Sequence, residues 1–179
     1  MIIKYHLLIL ILLITLVPGV LFMSQIDYEF ISLECLIQSS DAILLVKKQD
    51  PFEKIIELPL SEKYPHNYPL HRRALYQFTV LSVLYTIDTL EIEADIIVHR
   101  ANEDTDLEMD RLYYVEGIEE SPIFIAYNSE VDLYSADEFI IFVTHRAGTP
   151  GEYWFVVENA ILPADDRDMV MKLIAGQEK

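Results

Sequence analysis

One uninterrupted run of β-forming residues, Ala74 to Ile87 (ALYQFTVLSVLYTI), most limits what this chain can become. In an extended strand Tyr76, Phe78, Val80, Ser82 and Leu84 project to one side, and Gln77, Thr79, Leu81, Val83 and Tyr85 to the other. A strand with one solvated face alternates apolar with polar residues. Here both sets are mostly apolar or β-branched, which predicts cover on both faces over most of the length.

Four other strong β runs can be arranged around this one. Ala42 to Lys48 is a continuous apolar run too short for an independent helix. Ala94 to Arg100 follows the long run after an acidic connection, and Phe139 to His145 reads as a core strand. Tyr153 to Val157 follows the turn Gly148-Thr149-Pro150-Gly151 and predicts a hairpin with its predecessor. Leu112 to Glu116 and Ile123 to Tyr127 read as shorter strands. A short helix is expected over Ile31 to Asp41, with Ser32 as N-cap and Glu34 in the first turn, where the helix dipole favours an anion. Cys35 is expected half-buried at its margin. A second helix, Met169 to Ile174, is capped by Asp165 to Asp168 and expected to stop at Gly176. The fold class is mainly β: a five- to seven-stranded OB-like barrel with a short N-terminal helix and a C-terminal helix.

Between the first two β runs lies a polar insertion, Gln49 to Arg73, carrying Pro51, Pro59, Pro65 and Pro69. Proline at that density predicts extended turns and argues against a helix or central strand. Within it Tyr64-Pro65-His66-Asn67-Tyr68-Pro69 makes Tyr64, His66 and Tyr68 candidate partner or ligand contacts. The alternative is that both tyrosines pack down and close one end of the barrel.

At 179 residues the chain suits one domain plus a targeting segment. Lys4 is the only charge before Asp27, and an 11-residue apolar run, Leu7 to Val17, precedes Pro18-Gly19. These are signal-peptide dimensions, although Val20 to Met23 extends the run towards spanning length. Residues 1–24 are therefore expected to be a signal peptide or an uncleaved membrane anchor, and 27–179 a single exported domain, periplasmic, secreted or tethered. The net charge of −17 repels nucleic acid and anionic lipid, so nucleic-acid partners are not expected, and membrane contact is expected only through residues 1–24. One cysteine allows no internal disulfide.

Chemistry-bearing motifs are sparse. With five glycines the chain has no Gly-x-Ser-x-Gly, P-loop or dinucleotide fingerprint. Its histidines are scattered without metal-ligand spacing, so no metal, cofactor or catalytic residue is expected. The acidic stretch Asn102 to Asp110 places oxygen ligands at alternate positions, but an EF-hand starting at Asp104 would need Gly where Met109 stands and Glu where Val115 stands. More suggestive are two strand exits, His99-Arg100 and His145-Arg146. If their strands are neighbours, the two pairs form a small basic spot able to take an anion; otherwise they are polar exits bridged to local acids.

The order of elements resembles a group of exported bacterial domains with an OB-like barrel, similar in outline to the N-terminal fold of the tissue inhibitors of metalloproteinases. The resemblance lies in the leader, the short helix ending in Ser39-Ser40-Asp41-Ala42 with a strand directly after it, and the long strand Tyr76-Gln77-Phe78-Thr79-Val80. It continues in Asp137-Glu138-Phe139-Ile140-Ile141-Phe142-Val143 and the closing Gly151-Glu152-Tyr153-Trp154-Phe155-Val156-Val157. Protease inhibition does not carry over, because that family's N-terminal metal-contacting Cys and its disulfides have no counterpart here. The resemblance implies a non-enzymatic barrel that binds a protein or other envelope partner. Alternative expectations are an envelope hydrolase or its accessory domain, and a calcium-dependent adhesion module.

Overall fold

The computed structural model describes residues 27–57, 72–101, 123–146 and 150–177. The leader 1–24, the loop carrying Tyr64, His66 and Tyr68, the acidic stretch 102–110 and the expected strand 112–116 lie outside the described residues. Along the chain come β1 (Asp27–Ile31), α1 (Leu33–Gln38), β2 (Ala42–Glu57), β3 (Arg72–Thr86) and β4 (Asp95–His99). They are followed by β5 (Ile123–Tyr127), β6 (Glu138–His145), β7 (Glu152–Phe155), β8 (Ile161–Pro163), a 3-10 turn (Ala164–Asp166) and α2 (Arg167–Gln177).

Five of these strands close on themselves. The sheet runs β2-β3-β4-β7-β6, and β6 pairs back onto β2 from Ala42↔Val143 to Lys47↔Glu138. Every seam is antiparallel except β4–β7, which is parallel with His99 opposite Trp154. This is an OB-like barrel, mainly β, with a short N-terminal and a C-terminal helix. β8 continues along the edge of β6 beyond β7, through Phe139↔Pro163 to Ile141↔Ile161. β1 and β5 pair in parallel as a separate two-stranded sheet.

The core follows the two-residue period of the strands. Tyr76, Phe78, Ile96, Val98, Tyr153 and Phe155 are buried together and fill the barrel from β3, β4 and β7. β6 is covered on both faces, with Phe139 to Val143 all 0% exposed, as are the start of β2 (Ala42 to Leu44, all 0%) and the short β7. Leu36 and Ile37 of α1 and Val170 and Ile174 of α2 belong to the same continuous core. Ser32 caps α1 by accepting from the Cys35 N–H at 3.3 Å.

The structure departs from several expectations. Leu81 and Val83 on β3 are 46% and 44% exposed, so the long strand is not covered on both faces along its length. The proline-bearing insertion does not begin at Gln49, because β2 runs on to Glu57. It does so through an irregularity between Lys48 and Glu53 that lets Pro51 sit outside the ladder, where its missing N–H costs nothing. Gln49 closes this kink by donating to Asp95 Oδ1 at 2.6 Å, a carboxylate that also accepts from Thr79 Oγ1 at 2.8 Å. Cys35 is exposed where a half-buried thiol was expected. α2 runs through Gly176 to Gln177, since a glycine at an exposed helix end weakens the turn without ending it. β1 and β8 were not anticipated; each is short and stabilised by its partner strand.

Among the described residues, no helix is long and apolar enough to cross a membrane.

Candidate functional site

Among the described residues, two groups of polar and aromatic side chains adjoin β7. β7 lies between β4 and β6, so the His99-Arg100 and His145-Arg146 strands are not direct neighbours. Both pairs nevertheless reach β7. The His99 ring stacks on the Trp154 indole with centroids 4.5 Å apart and planes 13° from parallel. The Arg146 guanidinium lies over the same indole at 4.3 Å. Trp154 is therefore flanked by an imidazole from one neighbouring strand and a guanidinium from the end of the other, an arrangement cation–π attraction favours.

Arg146 is exposed, but the other two members of the stack are shut off from solvent. His99 and Trp154 are 5% and 6% exposed, and His99 Nε2 lies 3.3 Å from Glu152 Oε2, a charge contact whenever the ring is protonated. That contact lacks the geometry of a formed hydrogen bond. His145 is partly buried with its ring 5.7 Å from Tyr153, and its backbone N–H donates to Asp41 Oδ2 at 2.8 Å. The two strands are separated by β7, yet His99 of one pair and Arg146 of the other meet on the same indole, while Arg100 turns to Glu158 and the His145 N–H to Asp41.

Arg100 leads to a different place. Its Nη2 lies 3.3 Å from Glu158 Oε1, and both residues line a cleft of about 150 Å³ at the mouth of the barrel. Tyr76 and Phe155 form its inner wall, and Tyr134 and Asp132 its outer lip. Each group is held by a separate element. Tyr76 belongs to β3 and faces Val98 of β4 across the ladder, with Phe155 on β7 at 6.2 Å between ring centroids. Glu158 is fixed through its backbone, which exchanges hydrogen bonds with β5 at Tyr127 and Ile125 (2.8 and 3.2 Å). Tyr134 sits in a tight turn in which its N–H donates to Asp132 Oδ1 at 2.7 Å and Ser135 Oγ donates to the Asp132 carbonyl at 2.7 Å.

The aromatic side of the cleft continues into the barrel kink. The Phe52 ring stacks on Tyr76 at 5.3 Å and meets Tyr134 edge-on at 6.1 Å. The Tyr134 hydroxyl donates to Glu53 Oε2 at 3.0 Å, which ties the lip to β2. Burial pushes the Tyr76 hydroxyl well above the usual tyrosine range, and Tyr134 and the Glu53 carboxylate push it the same way. Partial desolvation and the bond to Glu53 also raise Tyr134. Both phenols are neutral donors at physiological pH.

Of the residues singled out from the sequence, only Arg100 lines this cleft; Tyr64, His66 and Tyr68 lie outside the described residues. Tyr76, Asp132, Tyr134, Phe155 and Glu158 were missed. Tyr76 read as a strand residue, and Asp132 and Tyr134 sit in a stretch with no motif. The one available signal was Tyr134 beside Asp132 and Ser135, a turn pattern with an aromatic at its tip. No group of side chains suited to hold a metal ion is found among the described residues. A second, wider recess of about 590 Å³ lies between the end of β3 and α2, bordered by Leu84, Ile87, Met171 and Ile174.

No known protein-family profile matches the chain, and no curated protein matches it.

Proposed function

We propose that this chain is an exported, non-enzymatic β-barrel domain that binds a protein partner in the cell envelope through the loop end of its barrel. The observation that carries the reading is the size and make-up of the mouth cleft. Small-molecule sites run to about 300–1,000 Å³. The mouth cleft holds about 150 Å³, room for one side chain rather than a whole metabolite; the recess of about 590 Å³ beside α2 reaches small-molecule size but is the more open of the two. Its walls are a buried tyrosine, a buried phenylalanine and an exposed tyrosine, the residue types that anchor interfaces by filling or forming pockets. Tyr134, at 68% exposed, is an aromatic displayed openly at its lip. The apolar leader supports export, with residues 1–24 acting as signal peptide or anchor.

A photoreactive amino acid placed at Tyr134 of the full-length protein, expressed in its own envelope, tests this. A discrete crosslinked species is expected from position 134, and none from Met171, an exposed residue beside the other end of β3. Equal yield from both positions, or none from either, removes the mouth as a binding surface. Fractionation with N-terminal sequencing separates a cleaved leader from an anchor, and a cytoplasmic full-length product would defeat the export reading.

A further inference from the structure

We propose that the mouth cleft takes a protonated alkylamine, presented as a lysine side chain of the bound partner; this rests on the binding reading above. Three carboxylates gather at the cleft, Asp132 and Glu158 lining it and Glu53 one hydrogen bond behind Tyr134. Among the described residues the one guanidinium lining it, Arg100, faces Glu158 at 3.3 Å. An incoming anion would meet net negative charge locally and a formal −17 over the whole chain, whereas a cation is drawn in. A purely apolar group would strip water from the carboxylates and phenols without replacing its hydrogen bonds.

The walls suit the same ligand. Tyr76, Tyr134 and Phe155 supply ring faces and edges to a cation and its apolar stem. The adjoining aromatic cluster already holds one ammonium: Lys48 Nζ lies 4.9 Å from the centroid of Phe52, whose ring stacks on Tyr76. The cleft's volume of about 150 Å³ accommodates an unbranched butylammonium, the end of a lysine side chain.

The test is a chemical-shift titration of the labelled full-length protein in nonionic detergent, using n-butylammonium, a Gly-Lys-Gly peptide, its Nε-acetylated form and spermidine. Saturable shifts at Tyr76, Asp132 and Tyr134 are expected from butylammonium and the lysine peptide. They should weaken about threefold or more in Asp132→Asn, which keeps an acceptor for the Tyr134 N–H but removes the charge. Equal binding of the acetylated peptide overturns the proposal, as do shifts scattered over the acidic surface without saturation. Spermidine binding tighter than the lysine peptide would assign the cleft to free polyamines and overturn the partner lysine. Crosslinking from position 134 that persists without amine binding would sink this inference and leave the binding reading standing.

Discussion

Asp41 does more for the barrel than its place just before a strand suggests. Its carboxylate accepts the His145 N–H at 2.8 Å, its N–H donates to the Val143 carbonyl, and its carbonyl accepts from Ile87 N–H, each of the latter at 3.0 Å. One residue thus joins the start of β2 to the ends of β3 and β6. Asp41→Ala leaves the His145 N–H without its charged acceptor and is expected to cost about 2 kcal/mol, read from urea unfolding. Tyr76 makes a second residue-level prediction. Its hydroxyl is raised above the ordinary 10.0, so the folded chain holds this proton more tightly than the unfolded one. The stabilisation is complete below pH 10 and is lost as pH rises from there through the folded value. Tyr153 is raised too, by burial first and Glu93 second, and acts with the same sign. In an alkaline titration followed by phenolate absorbance, Tyr76→Phe should remove the latest-ionising phenol; an unchanged late phase would assign it elsewhere.

At the level of elements, β6 and β3 show what an apolar strand does and does not reveal. The first read as a core strand and the second as apolar on both sides, yet of the two only β6 is buried on both faces. Ile141→Ala on β6 should cost about 2–5 kcal/mol, while Val83→Thr on the outer face of β3 should stay within about 0.5 kcal/mol of the parent. Thermal melts of the two variants decide it, and equal losses would mean that β3 is covered after all. Periodicity reports apolar character, but whether another layer lies over a face depends on where β8, α1 and α2 dock, and no local pattern carries that. The same applies to β2. Pro51 is a strand breaker by local rules, yet the kink puts it outside the ladder, and only the Gln49–Asp95 bond, which spans 46 residues, discloses the compensation. The strand types, the two helices and the β6–β7 hairpin were legible because their signals are local. The cleft was not, because Tyr76, Tyr134, Phe155 and Glu158 meet only through closure of the barrel.

For the whole molecule, closure is the organising event. β4 contributes one seam with β3 and one with β7, so removing β7 opens the barrel and exposes Tyr76, Val98 and Val143 at once. A chain ending at Gly151 is expected to show no cooperative thermal transition by circular dichroism; a sharp melt would mean that the remaining strands fold alone. Gly151 itself is placed for the join. Its φ of 71° suits glycine, and its carbonyl accepts from Ile97 N–H at 2.9 Å, directing the chain into β7 alongside β4. That parallel seam joins His99 to Trp154, 55 residues apart (154 − 99), so it belongs to the slow, non-local class of contacts. A polypeptide emerging N-terminus first lacks the native partner for the β7-facing edge of β4 until Trp154 has appeared. The five-stranded barrel therefore latches late, only after both sides of that seam have been made.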